Sequence, residues 1–443
     1  MKKSLILLAC VSLIVSTAGD AWSATKKRKH GHRHKAGAHS IHKNTESLKP
    51  SASEAIASVA TPSPSGWFDK FEVGWKKGLQ FKNKDESFSL KIRNVIQARY
   101  EYDSNEQALD KNTFQIRRLK TSFEGNAFSK NLDYKIQFTW INSTLADILE
   151  DAYVDYKFNP AARLEAGQFA IPYNRQEMTS SGRQQFVDRS LAADEFRFTS
   201  IDTASTTTCT LPGGGTVTGS GVTCGAGATS TTTTTNTPRS FYYDTGLMLH
   251  GDFLDKKLEY AVAVTNGSGN TRVNGNKDFL YTGRLVWNAM GAYGYSEGDT
   301  ENLEHPSLAL AFDGGYNVRD TDETTFIQLG SDIGFKYKGF SLQGEYFFRN
   351  VDPLGPNNTT RDHGYYAQAG YFIIPQHFEV AARASQVILS GPSNNKAEYT
   401  LGLNYYMFGH DLKLQADYSY LPRQTAADTM HDQRFRLQLQ AWF

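Results

Sequence analysis

The sequence predicts an all-β protein: a transmembrane, antiparallel, up-and-down β-barrel of about 16 strands behind a disordered N-terminal tail. Three observations carry this. Apolar and polar residues alternate with a period of two in segment after segment from Phe88 to Phe443, which puts them on opposite faces of strands. The chain is polar, with a mean hydropathy of −0.50, yet holds 27 Phe, 23 Tyr, 6 Trp and 37 Gly in 443 residues. That mixture suits a wall with lipid on one side and water on the other. Finally, a helical span needs about 20 mostly apolar residues, and the only stretch that approaches it, Leu5–Val15, is too short.

Residues 1–24 read as a signal peptide. Lys2 and Lys3 form a basic start, Leu5–Val15 is the apolar region, and cleavage fits after Ala18, Ala21 or Ala24. Leu7-Leu8-Ala9-Cys10 superficially resembles a lipoprotein box, but too little apolar chain precedes Cys10. Residues 25–66 form a basic, His-rich tail: Lys26-Lys27-Arg28-Lys29, then His30, His32, His34, His39 and His42. The tail has no apolar period and reads as disordered. A solvated linker is the simplest reading; a metal-binding tract or a tether to polyanions such as lipopolysaccharide are the others.

From residue 67 to 443 the chain reads as the barrel. In Glu86–Tyr102, Phe88, Leu90, Ile92, Ile96, Ala98 and Tyr100 fall on even numbers, while Ser89, Lys91, Arg93, Gln97 and Arg99 fall on odd ones. The last segment alternates Phe435, Leu437, Leu439, Ala441 and Phe443 with Arg434, Arg436, Gln438 and Gln440. Sixteen such segments centre near residues 94, 119, 136, 152, 166, 247, 261, 284, 311, 332, 345, 369, 382, 403, 416 and 438. Strands facing lipid must close on themselves, because every backbone N–H and C=O needs an internal partner there. A soluble β-sandwich rarely reaches this many strands without a domain break. Alternation slips by one at Arg117 and Arg118: Phe114 and Ile116 are even, Leu119 and Phe123 odd. A bulge at that pair would turn both guanidiniums toward the lumen.

Two long non-alternating stretches interrupt the pattern. Residues 171–199 carry no period of two and read as a long loop. Residues 203–238 are a Thr/Gly-rich surface loop. Once Cys10 leaves with the signal, Cys209 and Cys224 remain, and an even pair in an exported protein reads as a disulfide. No Cys/His spacing suggests a metal site, and no cofactor is expected.

Several segments resemble the phosphate-selective porin O and P family. They are Phe114-Gln115-Ile116-Arg117-Arg118-Leu119 with Phe123-Glu124-Gly125, and Asp151-Ala152-Tyr153-Val154-Asp155-Tyr156 leading to Gly167-Gln168-Phe169 and Pro172. Later come Phe340–Tyr346, Gly364–Phe372 and Thr400–Tyr406. The terminal Phe443 resembles the C-terminal signature of bacterial outer-membrane barrels. The resemblance implies a homotrimer in the bacterial outer membrane, embedded in the lipid bilayer, that passes small anions such as phosphate through a constriction built partly from the third loop, residues 171–199, folded into the lumen. It places constriction hydroxyls at Thr179-Ser180-Ser181, an arginine at Arg189 and a paired arginine motif at Arg117 and Arg118. Where the family pattern leads one to expect a lysine, two residues before the Thr-Ser-Ser run, this chain has Glu177, whose carboxylate would repel phosphate.

The candidate anion-binding residues are therefore Arg117, Arg118, Lys135, Ser180, Ser181 and Arg189. A guanidinium offers a planar fork of donors to a tetrahedral oxyanion, hydroxyls replace part of its hydration shell, and binding must stay weak enough to release the ion. Total charge gives no support. Ten of the 47 basic and three of the 46 acidic residues precede Trp67, leaving 37 and 43 in the barrel region. The balance also argues against nucleic acid as a partner. A non-selective or cation-preferring porin, a structural or adhesive barrel, and an outer-membrane hydrolase are the competing classes. For the last, His363, His377, His410 and His431 are available as bases, but no G-x-S-x-G motif accompanies them.

Overall fold

The computed structural model describes residues 71–75, 77–141, 147–319, 322–355, 359–391 and 395–443. The expected signal peptide and His-rich tail lie outside the described residues. A short hairpin, β1 (Phe71–Trp75) and β2 (Leu79–Asn83), precedes the barrel. The wall begins with β3 (Ser89–Ser104), β4 (Lys111–Asn126), β5 (Leu132–Thr139), β6 (Leu149–Asn159) and β7 (Ala162–Ala170). A long excursion then carries β8 (Phe198–Thr210), β9 (Thr216–Gly219) and β10 (Thr229–Phe241). The wall resumes with β11 (Tyr243–Phe253), β12 (Leu258–Thr265), β13 (Leu280–Met290), β14 (Ser307–Val318), β15 (Thr325–Tyr337) and β16 (Phe340–Asp352). It ends with β17 (Thr360–Ile374), β18 (Phe378–Ile388), β19 (Lys396–Tyr406), β20 (Leu412–Gln424) and β21 (Thr429–Trp442). Each of the sixteen alternating segments is one wall strand.

All wall pairings are antiparallel, and β21 closes the ring on β3 from Gln433↔Ser104 to Trp442↔Val95. Below Val95 the edge of β3 is taken over by β2, from Leu79↔Ile92 to Lys82↔Ser89. Phe443 is held by main-chain bonds in both directions with Asn94 (2.9 and 2.5 Å). No edge is left open to lipid at this seam, which the bilayer requires. Among the described residues no helix is long and apolar enough to cross a membrane; the strands cross instead.

Alternation translates directly into burial. On β19, Leu401 is 66% exposed on the outer face, while Thr400 and Asn404 on the inner face are 2% and 1% exposed. Trp140, Tyr156 and Trp287 stand on the outer face as well, as interfacial aromatics do. The slip at Arg117 and Arg118 is a β-bulge: Arg118 faces Gln97 and Ile116 faces Ala98, leaving Arg117 as the extra residue.

Connections at the end holding Phe443 are short: 127–131, 160–161, 254–257, 338–339, 375–377 and 407–411. Short turns mark the periplasmic end of such barrels. One turn at that end, 291–306, is long, and it folds into the lumen.

The Thr/Gly-rich region differs from the expected surface loop. It is a three-stranded antiparallel sheet, β10-β8-β9. Threonine is β-branched and favours extended backbone, but with no apolar residues to alternate against, it leaves no period to read. Ser205 and Thr207 reach across to Thr234 and Thr232 (3.3 Å each). Cys209 and Cys224 are disulfide-bonded, with Cα atoms 5.4 Å apart and a separation of 15 residues. Closing such a loop contributes about 3 kcal/mol in the chain-entropy account. The double change Cys209→Ser, Cys224→Ser is expected to speed proteolytic cutting between Thr210 and Thr229. Because this sheet is largely exposed, channel conductance should not change; a changed conductance would place the sheet in the pore.

Candidate functional site: a constriction between an infolded loop and the wall

After β7 the chain turns inward at Ile171. Asn174 adopts φ 64 and its side chain caps the one-turn helix Arg175–Met178 by accepting from the Glu177 N–H. A 3-10 turn, Ser181–Arg183, and a second short helix, Leu191–Glu195 capped by Ser190, follow. These helices are too short to announce themselves as periodicity. What holds them is a small apolar core inside the barrel: Ile171, Tyr173, Ala192, Ala193, Phe196 and Phe198 pack on Phe347, Tyr366 and Val387 of the wall. Phe196 stacks on Phe347 with ring centroids 5.4 Å apart. Gly364 is needed beside it, since a Cβ there would collide with the Phe196 ring.

Polar contacts pin the rest of the loop to one side of the lumen. Gln185 donates to Ser341 Oγ (3.0 Å) and to Glu379, the Val187 N–H to Asp417 (3.1 Å), and the Leu191 N–H to Glu398 (2.8 Å). Asp188 accepts from Arg99 (2.7 Å), Arg118 (3.0 Å) and Arg436 (3.1 Å), clamping the loop to β3, β4 and β21. Burial opposes a charge at Asp188, but Arg118, Arg99 and Arg436 outweigh it and hold the carboxyl well below the usual range.

The long periplasmic turn meets this loop from the opposite end. Glu297, 1% exposed, accepts from Gln176 Nε2 (2.9 Å) and the Gln185 N–H (2.8 Å), and its own N–H donates to the Arg183 carbonyl (2.9 Å). Arg175 donates to the Gly294 carbonyl (3.1 Å). Two inserted segments therefore brace each other inside the barrel, both against the β15–β21 side.

What remains open runs along the other side. A cavity of about 120 Å³ lies between the loop tip and the wall, lined by Glu177, Met178, Ser180, Ser181 and Arg189 from the loop. The wall contributes Arg93, Lys120, Ser122, Lys135, Gln137, Asp151 and Trp442. A larger cavity, about 390 Å³, adjoins it toward the periplasmic end, and Ala170 and Met178 line both. In the narrow cavity four basic side chains face two acidic ones, although the barrel region as a whole is acidic.

The six sequence-derived candidates separate into two groups. Lys135, Ser180, Ser181 and Arg189 meet at the narrow cavity; Arg117 and Arg118 do not line it. Arg118 is committed to Asp188 and to Gln97 Oε1 (2.9 Å). Arg117, at the bulge, is half-buried, with no carboxylate partner among the described residues. Arg189 spends its donors on the loop itself, on the carbonyls of Gln176 (2.9 Å), Glu177 (3.3 Å) and Thr179 (3.2 Å). Lys135 is paired with Asp151 (2.7 Å). Glu177, where repulsion of phosphate was expected, is no free carboxylate: its side chain is 2% exposed and bridged to Arg189 (3.1 Å) and Arg197 (2.6 Å).

Several lining residues were not singled out from sequence, Lys120, Ser122 and Trp442 among them. Lys120 and Ser122 share the even parity of Arg118 beyond the bulge, so counting on through the slip would have found them. Trp442 shares the inward parity of Arg436, Gln438 and Gln440. It sits under the Arg93 guanidinium at 3.8 Å, with Arg183 at 5.5 Å.

A sixteen-stranded closed barrel narrowed by a loop folded against its inner wall has the architecture of a porin. Residues 88–443 match the model of the phosphate-selective porin O and P family, and the chain belongs to that family, in the bacterial outer membrane. An uncharacterized protein of Aquifex aeolicus (strain VF5) is 22% identical over 291 residues, 59% of this chain and 60% of that one. The chain thus spans about 60% of the length of the curated relative it matches. Among solved structures, the outer membrane channel DcaP of Acinetobacter baumannii aligns with a TM-score of 0.50 at 12% identity, over 80% of this chain and 97% of that one. Salmonella typhi OmpF aligns with a TM-score of 0.49 at 10% identity, over 84% and 100%. At these identities the likeness concerns the fold alone.

Proposed function

We propose that the protein is a homotrimeric diffusion channel for small anions, phosphate-like in size and charge, and not an enzyme. The observation that carries this is the lining of the narrow cavity: Arg93, Lys120, Lys135 and Arg189 against Asp151 and Glu177, with Ser180 and Ser181 facing them. An ion passing there exchanges part of its hydration for hydroxyls and ammonium groups. The cations are themselves tied to Glu150, Asp151 and Glu124, which keeps them from trapping a phosphate too tightly to release. Arg118, through Asp188, supports this reading as a holder of the loop. Arg117 at the bulge and Arg189 within the loop contribute positive potential. The disulfide-stapled sheet and outer loops would face the lipopolysaccharide leaflet.

Trimers in a planar bilayer under a KCl gradient are expected to give an anion-selective reversal potential. A cation-selective potential would overturn the anion reading and favour a cation-preferring porin; absence of any conductance would favour a structural barrel.

A further inference from the structure

We infer that Asp155, Glu165 and His250 form a binding site for a divalent transition-metal ion of the Zn²⁺ class in the wall of the larger cavity. The site goes beyond the proposed anion permeation and stands independently of it. Asp155 and Glu165 are directly opposed on β6 and β7, and His250 on β11 is opposite Arg163, two residues along β7. His250 Nε2 lies 3.4 Å from Asp155 Oδ2 and 3.8 Å from Glu165 Oε2. The three donor atoms all lie within 4.8 Å of one another. Tetrahedral donors about 2.1 Å from a zinc ion stand about 3.4 Å apart, so little movement is needed to close on one.

The second observation is independent of this spacing. Glu165 is 6% exposed and accepts no hydrogen bond among the described residues; Asp155 Oδ1 and His250 Nε2 are buried and make no hydrogen bond, His250 Nε2 meeting the two carboxylates only at ion-pair range. Buried polar atoms are nearly always satisfied, and orphans that converge call for an ion or a water. Arg163 donates to Asp155 Oδ2 (2.8 Å) and to Asp133 (2.6 Å), orienting one ligand as outer-shell groups do. Asp133, Asp155 and Glu165 outnumber the two basic residues beside them, Arg163 and Lys157, the latter opposite Arg163 on β6. The other carboxylate trio, Asp313, Asp332 and Glu345, is already occupied by Arg284 and Arg175. One imidazole with two carboxylates selects a borderline ion such as Zn²⁺ over Ca²⁺ or Mg²⁺. His250 and Arg163 both line the larger cavity, so an ion there would be reachable from the conducting path and would neutralise an acidic patch along it.

The test adds ZnCl₂ to the periplasmic side of the full-length protein in a planar bilayer and reads the permeability ratio of chloride to potassium. Zinc is expected to raise that ratio roughly twofold. The rise should vanish in Glu165→Gln and in His250→Ala, and persist when His30, His32, His34, His39 and His42 are all changed to Ala. Bound zinc per protomer should fall by one in each of the first two variants, read on samples whose heat-modifiable migration shows a folded barrel. No zinc response, or an equal response in the Glu165→Gln and His250→Ala chains, would overturn the site whatever the ion selectivity without zinc.

Discussion

Lys120→Gln with Lys135→Gln is expected to turn the proposed anion selectivity of the channel into cation selectivity. The two ammonium groups are the wall-side partners of Glu150 and Asp151, each at 2.7 Å. Neutralising them leaves Asp151 facing the narrow cavity without its ammonium, and Glu150, behind the lining, with Gln137 as its donor (2.6 Å). A unit charge about 4 Å from a permeating ion is worth about 1 kcal/mol even in water. Two such changes amount to about 2 kcal/mol, or about thirtyfold, against chloride and as much in favour of potassium. The reversal potential in a KCl gradient should therefore change sign, more strongly at 0.1 M than at 1 M salt, because screening shortens the reach of the charges. Glutamine keeps a comparable length and can still donate, so the barrel should close normally. An unchanged reversal potential in folded trimers would mean that ions do not pass between β4, β5 and the loop tip.

The second large effect is expected at Asp188. Removing its carboxylate in Asp188→Ala leaves Arg99, Arg118 and Arg436 crowded together without their shared counter-charge. Breaking a buried ion pair from one side commonly costs about 3–5 kcal/mol. Arg436 keeps Asp417 (2.7 Å) and Arg99 keeps Glu101 (3.3 Å), so the lower end, about 3 kcal/mol, is expected here. Residues 184–190 lose their clamp to β3, β4 and β21, and open-channel current noise should rise while the barrel stays closed. Arg118→Ala should give a milder version, since Asp188 retains two arginines. Denaturant unfolding and single-channel recording check both. Equal stability and equal noise in Asp188→Ala would show that the apolar seat around Phe196 and Phe347 and the bonds of Gln185, Val187 and Leu191 to the wall hold the loop without it.

These expectations mix what could be read from the chain with what could not. All sixteen wall strands were legible, from β3 to β21, because lipid outside and water inside impose a strict two-residue period on each of them. The bulge was legible as a one-residue slip. Lys120, Ser122 and Trp442 were within reach of the same parity count carried through that slip. The β8–β10 sheet was not, because strings of threonine stay extended without leaving an apolar face. Nor was the inserted turn at 291–306: its Tyr293, Glu297 and Asp299 look like any polar turn until the lumen is seen to accept them.

By itself, then, the sequence determined the closed barrel, which side of each strand faces lipid, and membership of a porin family, since all three follow from local period and local motif. The role of each charge was decided only in three dimensions. Arg118 pairs with Asp188 of the inserted loop instead of lining the narrow cavity, Glu177 is bridged by two arginines, and four basic groups meet at one narrow gap in an acidic barrel. The physical reason is that a charge acts through its nearest neighbours. Those neighbours (Asp188 for Arg118, Arg197 for Glu177, Glu150 for Lys120) lie 70, 20 and 30 residues away along the chain and become adjacent only when the loop folds into the closed wall.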